Sequence, residues 1–179
     1  AVEREECEFA ILPLENSVAG GINETYALLG TSKLSIVGEE VWPVEHCLLG
    51  LAKVPLARIR RVYSHPQALM QCSEFLDGLA GASSESFFDT AASVAKVKEL
   101  GSEENAAIAS EEAGERHGLV VLRRSIANQR NNQTRFVVVH RRRFRFDPRI
   151  PCRTSLLLVT DHREGALERC LGELARAGL

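Results

Sequence analysis

Ala127-Asn-Gln-Arg-Asn-Asn-Gln-Thr-Arg-Phe-Val-Val-Val-His140 is the stretch on which the rest of the chain turns. Six consecutive polar or charged residues, Asn128 to Gln133, run into Thr134 and Arg135. An apolar, β-branched strand, Phe136 to Val139, follows at once. A polar run that ends abruptly on a buried-type strand delivers side chains to the edge of a cleft and anchors them there. Thr134 stands at that junction. Taken alone, the stretch also reads as an ordinary loop-to-strand transition, so the surroundings must decide.

Around it lies a chain of 179 residues, 45% hydrophobic, which has room for one domain or two small ones. A net charge of -2 gives no general attraction to nucleic acid or to an anionic membrane. No apolar run reaches the roughly 18 residues of a membrane span, and the opening residues do not read as a signal peptide. Cys7, Cys47, Cys72, Cys152 and Cys170 are odd in number and scattered, with no C-x-x-C pair. Reduced thiols in a cytoplasmic protein are the expectation, rather than a disulfide framework or a zinc site. The chain starts at Ala1 without a methionine and stops at Leu179 inside a periodic segment, so both ends are expected to be cut.

In chain order, Phe9 to Pro13 reads as a short buried strand stopped by its proline. Glu15-Asn-Ser17 supplies an N-cap signal before a helical pattern at Ile22, Tyr26, Leu28 and Leu29, closed by Gly30. Leu34 to Val41 and Val44 to Leu51 read as strands, and as a possible pair. Arg61 to Tyr63 is a third, and Pro66 suits the first turn of a helix running to Leu76. A strand near 84–88 precedes Asp89, the N-cap of a helix through Leu100 with Gly101 after it. Ala106 to Ala109 is a strand, Ser110 caps a short acidic helix ending at Gly118, and Val120 to Leu122 is a further strand. Strands alternating with helices predict an α/β fold with a largely parallel sheet. His140-Arg-Arg-Arg-Phe-Arg145 is a basic cluster at a strand end before Asp147, and reads as a linker rather than a nucleic-acid surface. Arg153 to Thr160 reads as a strand. After it comes a helix from Gly165 with Ala166, Leu167, Cys170, Leu171 and Leu174 on its apolar side.

Ligands of α/β sheets bind where loops converge outside the strand ends. Several such loops here are rich in neutral hydrogen-bonding groups: Glu15-Asn16-Ser17, Ser64-His65-Pro66-Gln67, Thr90-Ala91-Ala92, and Asn128 to Thr134. These groups, with helix N-termini that bind carboxylates, suit a small anionic substrate. Each has a plainer role: Asn16 and Ser17 as caps, Gln71 as surface decoration four residues after Gln67, His65 as a turn residue. No G-x-S-x-G nucleophile elbow is present, Gly20-Gly21 is too short to cradle a phosphate, and His and Cys lack zinc-ligand spacing. No metal or cofactor is expected.

Taken in order, these segments resemble one family. Ile11 to Ser17 with Ala19-Gly20 and Ile22-Asn23-Glu24, Val62 to Gln67 with Gln71-Cys72, Thr90 to Ala92, Ala106-Ala107, and Asn128 to Asn131 with Thr134-Arg-Phe136 are similar to prephenate dehydratase. The likeness runs from about Ala10 to His140. The segment from Arg153 to Leu179 resembles the first strand and helix of the ACT regulatory domain, an α+β, ferredoxin-like unit. The resemblance implies a two-lobed α/β catalytic domain over 1–145, similar to type II periplasmic binding proteins. One lobe would hold about 1–33 and 134–145, the other about 34–133, with the partial ACT domain at 152–179. It implies decarboxylating dehydration of prephenate to phenylpyruvate in phenylalanine biosynthesis. Thr134 would assist the leaving hydroxyl, Asn16 and Gln71 would position substrate, and Glu15 is a possible general acid. Ser17, His65, Gln67, Thr90, Ala91, Ala92, Arg135 and Phe136 would line the pocket. Gly165, Ala166 and Leu167 would belong to an allosteric phenylalanine site in a homodimer or homotetramer. Neither nucleic acid nor membrane is an expected partner. The family's glycine-rich first strand and helix, and the second half of the ACT domain, have no counterpart in this sequence, so a truncated or incomplete piece is expected. Alternatives are arogenate dehydratase, which shares the motifs, and a non-catalytic small-ligand module of the same fold.

Overall fold

Two stretches of unbroken burial, Cys47–Gly50 and Asn105–Ala109, set the architecture, because a strand buried at every position must be covered on both faces. In the computed structural model, which describes residues 1–145, 147 and 149–178, these stretches are the centre of one of two sheets. The strands in chain order are β1 (Phe9–Asn16), β2 (Gly20–Gly21), β3 (Ser35–Pro43), β4 (Cys47–Gly50), β5 (Arg61–Ser64), β6 (Ser83–Ser86), β7 (Asn105–Ala109), β8 (Val120–Arg123) and β9 (Gln133–His140). The helices are α1 (Asn23–Thr31), α2 (Pro66–Gln71), α3 (Ser73–Asp77), α4 (Thr90–Leu100), α5 (Glu111–His117) and α6 (Ala166–Arg176).

The first sheet runs β2-β1-β9-β3 and every pairing in it is antiparallel. The second runs β6-β5-β7-β4-β8, parallel where β5 meets β6 and β7, antiparallel where β4 meets β7 and β8. The fold is α/β, but the expected largely parallel sheet is corrected to one antiparallel and one mixed sheet. Leu34–Val41 and Val44–Leu51 do not pair with each other. β3 lies against β9, whereas β4 is carried into the second sheet, where its four buried residues are covered on both sides. Residues 35–43, expected in the second lobe, therefore belong to the first sheet.

Local deviations have local causes. Pro13 does not end β1; it sits where the pairing with β9 shifts register, and a bulge is where a strand tolerates a residue without an N–H. Helix α1 starts after Ile22, which gives no side-chain cap, and it runs past Gly30 to Thr31. The expected helix from Pro66 to Leu76 is broken at Cys72. There the Asn128 N–H bonds the Gln71 carbonyl at 2.7 Å, and Asn128 Oδ1 accepts the Glu74 N–H at 3.2 Å. Tertiary bonds thus take the place of the helix's own ladder. By contrast, Asp89 and Ser110 accept from the Ala92 and Ala113 N–H groups as N-caps, and Gly101 and Gly118 close α4 and α5 at φ 62° and 70°. At those glycines an L side chain would meet left-handed backbone.

Arg153–Thr160 is not a strand: it runs without a ladder, because a β-prone segment needs a neighbouring strand to bond with. Its Leu157 packs against α1 at Gly30, and Arg153 Nη1 lies 3.3 Å from Glu39. Among the described residues no helix is long and apolar enough to cross a membrane.

The second sheet carries a cluster on each face. Leu48, Ile59, Val62, Cys72 and Ile108 pack with α2 and α3, and Cys47, Leu49, Val94, Val97 and Ala107 pack with α4 and α5. The core of the first sheet is a smaller group, Leu14, Val137 and Val139, with Leu29 of α1 and Leu34 against it.

Candidate active site

The register of β1 on β9 sets Asn16 directly opposite Thr134. Oδ1 of Asn16 accepts from the N–H groups of Val18 and Ala19 at 3.0 and 2.9 Å, in the tight turn between β1 and β2. Two backbone donors on one side fix which end of the amide is oxygen. Its Nδ2 then donates to Asn132 Oδ1 at 2.7 Å and Thr134 Oγ1 at 3.0 Å. Asn132 is oriented in turn, and its Nδ2 donates to Gln71 Oε1 at 3.1 Å. The same oxygen lies 2.8 Å from His46 Nε2, so that nitrogen carries a proton. One continuous run results: Thr134, Asn16, Asn132, Gln71, His46. Because the Thr134 oxygen accepts from Asn16, its own proton is left to donate to something else.

The run crosses between the sheets. Asn16 and Thr134 belong to the first; Gln71 ends α2 and His46 precedes β4 of the second; Asn132 lies in the segment joining β8 to β9. The backbone ties the crossings together: Val44 N–H donates to Asn132 O at 2.9 Å, and Ile126 N–H to His46 O at 3.0 Å. Ser17 clips the loop in place, donating through Oγ to Asn131 O and accepting from the Gln133 N–H, each at 2.9 Å.

Other expected site residues fall elsewhere. Arg135, one residue beyond Thr134, points to the opposite face of β9. It bonds Glu39 at 2.8 Å through Nε, with Glu15 at 3.7 Å. Glu15 is therefore on that other face, ion-paired rather than beside Thr134. His65 caps α2, its Nδ1 accepting the Gln67 N–H, and the Gln67 side chain is exposed. Asp89 takes the Ala92 N–H at 2.6 Å, so that donor is already used at the α4 N-terminus, where Thr90 and Ala91 also lie. Phe136 shares the Thr134 face, half-buried. Gly165 precedes α6, with Ala166 buried and Leu167 exposed in its first turn.

Asn132 and His46, 3% and 7% exposed, are the members that sequence reasoning missed. Asn132 is one amide among several in its run, and His46 sits just before the apolar Cys47–Leu49. A polar residue abutting a fully apolar strand is a signal that such a residue is drawn into the interior. The thiols next to the run are inert. Burial raises both, and Cys72, with Cys47 adding to the effect, is pushed up to about 12. Among the described residues no His, Cys, Asp and Glu groups cluster to hold a metal ion.

Neutral donors and acceptors from both sheets meet here, groups of the kind that orient a small ligand by hydrogen bonding. The sequence model of one family, prephenate dehydratase, matches residues 1–143. The chain belongs to the prephenate dehydratase family. It is 42% identical over 170 residues to the bifunctional chorismate mutase/prephenate dehydratase of Escherichia coli strain K12, covering 95% of this chain and 44% of that protein. To arogenate dehydratase 5 of Arabidopsis thaliana it is 40% identical over 171 residues, covering 92% of this chain and 39% of the other. The crystal structure of prephenate dehydratase in complex with L-Phe from Arthrobacter aurescens superposes with a TM-score of 0.81 at 30% identity, over 99% of this chain and 59% of that one. The chain thus spans less than half the length of either of these two curated relatives.

Proposed function

We propose that this chain carries out the prephenate dehydratase reaction, conversion of prephenate to phenylpyruvate on the way to L-phenylalanine. The observation that carries the reading is the run from Thr134 through Asn16, Asn132 and Gln71 to His46. In the reaction the ring carboxylate departs as carbon dioxide and its bonding pair enters the ring. The ring C–O bond breaks, and the hydroxyl leaves as water with one proton taken up overall. Aromatisation drives the step, so the protein has to orient the ring and stabilise the departing oxygen. Thr134 is suited to the second task, since its proton is not used by Asn16. Asn16, with both amide hydrogens and its oxygen engaged, holds it in place, buried Asn132 links Asn16 to Gln71, and Gln71 keeps its Nε2 amide for the substrate. Thiol chemistry has no part, and Glu15 is not placed as a general acid.

The same reading divides the catalytic unit into two lobes like those of type II periplasmic binding proteins, with β3 in the first. It makes residues 152–179 the start of an ACT domain, with L-phenylalanine as effector and a homodimer or homotetramer as assembly. The 40% identity to an arogenate dehydratase supports the aminated analogue as the second substrate to assay. Phenylpyruvate release from prephenate, and phenylalanine release from arogenate, are measured for the wild type and Thr134→Ala. A fall in kcat of roughly a hundredfold or more, with the circular dichroism spectrum kept, is the expected outcome. A folded wild type that turns over neither substrate overturns the reading.

A further inference from the structure

The hydrogen-bonding run supplies polarity on one side of Thr134 and no apolar surface for a ring. The other side is occupied by Trp42. Across the first sheet Thr134 lies opposite Asn16 of β1 and, on its other flank, opposite Trp42 of β3. Residues directly opposite in antiparallel strands project from the same face with Cβ atoms about 4.5–5.5 Å apart. Asn16, Thr134 and Trp42 thus form one row, with half-buried Phe136 one step along the same face.

Trp42 is 66% exposed, and it is the chain's single tryptophan. Its backbone is held on both counts that matter: it is laddered to β9, and the following Pro43 restricts it to extended geometry. A bare indole on a fixed backbone beside a polar cluster has the make-up of a small-molecule pocket, where aromatic walls hold the ligand and a few polar groups orient it.

We propose that Trp42 is a substrate-positioning residue: its indole is the apolar wall against which the substrate ring lies, presenting the ring hydroxyl to Thr134. The inference rests on the dehydratase reading and adds to it the residue that holds the ring. The wall receives an unsaturated six-membered ring that bears one carboxylate and a carboxylate-ended side chain, and phenylpyruvate, the aromatic product, is a ligand for it too.

The chain itself provides the probe, since emission excited at 295 nm comes from Trp42 alone. Titration with prephenate and with phenylpyruvate is expected to give saturable quenching. Trp42→Ala is expected to raise KM about tenfold while kcat moves less, and Trp42→Phe to restore KM to within about threefold. A tryptophan that only packs would change the melting temperature and leave KM and the ligand-induced emission change untouched. Unmoved emission at saturating ligand, or an unchanged KM in Trp42→Ala, overturns the proposal even where the wild type makes phenylpyruvate. Saturable quenching without phenylpyruvate formation keeps the wall and sinks the dehydratase reading instead.

Discussion

The two sheets bury their strands to very different depths. In the second, β4 and β7 are buried at every residue, and helices cover both faces. In the first, α1 covers one face over a core of Leu14, Val137 and Val139, while Phe9, Ile11, Ile36 and Trp42 stand exposed. Yet the candidate site draws on both: Gln71 and His46 come from the well-packed half, Asn16 and Thr134 from the thinly packed one. What holds the second pair in position is less hydrophobic burial than hydrogen bonding, through the strand ladder, the turn amides on Asn16 and the Ser17 clip. Orientation at the site is secured by polar contacts where the core is thinnest.

The largest contrast is expected in thiol accessibility, because the cysteines report on both regions. Cys7, beside β1, and Cys152, in the segment without a ladder, are exposed; Cys47 and Cys72 are fully buried in the second sheet's clusters. In the native protein a disulfide-forming thiol reagent should label the first two roughly a hundredfold or more faster than the second two, whose reaction requires opening of the core. Equal rates would mean that the second sheet opens as readily as the first. A pH dependence follows. The folded pKa of Cys72 is raised from 9.0 to about 12, so its neutral form favours the native state fully below pH 9. That contribution is lost as pH rises from about 9 through about 12. Cys72→Ala, read as the alkaline slope of stability, should flatten that window and leave neutral pH to report only the packing loss.

How much of this was visible in the sequence follows the range of the interactions. Asp89, Ser110, Gly101 and Gly118 act as caps where their local patterns placed them, because a cap is made within four residues. Thr134, Asn16 and Gln71 were singled out; Asn16 bonds Thr134 directly, and Gln71 is linked to them only through Asn132. The partnership of β3 with β9 joins residues about a hundred positions apart, and no local pattern encodes it. The break at Cys72 depends on Asn128 arriving from a distant loop. Asn132 differs from its neighbours in the polar run only by burial, which is a tertiary property. Arg153–Thr160 failed for the opposite reason: its composition favours a strand, but among the described residues it forms no ladder with one.

Core truncation separates the two sheets on a smaller scale. Ile108→Ala in β7 removes a fully buried side chain and should cost about 2–5 kcal/mol in denaturant unfolding. Ile11→Ala in β1, more than half exposed, should stay within about 0.5 kcal/mol. Similar losses at both positions would show that the outer face of the first sheet is covered in solution.

The smallest effect concerns how the helices are started. Around the second sheet, α2, α4 and α5 all have side-chain N-caps, from His65, Asp89 and Ser110, whereas α1 on the first sheet begins after Ile22 with none. Asp89→Ala should cost about 1 kcal/mol, because it leaves the Ala92 N–H without its 2.6 Å partner at a partly exposed helix end. Ile22→Ser would supply the missing acceptor, but it removes a half-buried apolar side chain, and the two changes are of similar size and opposite sign. A near-neutral Ile22→Ser beside a destabilising Asp89→Ala is the expected pair of results in parallel melts. A clear gain from Ile22→Ser would mean that the uncapped start of α1, rather than the thin core beneath it, limits the stability of the first sheet.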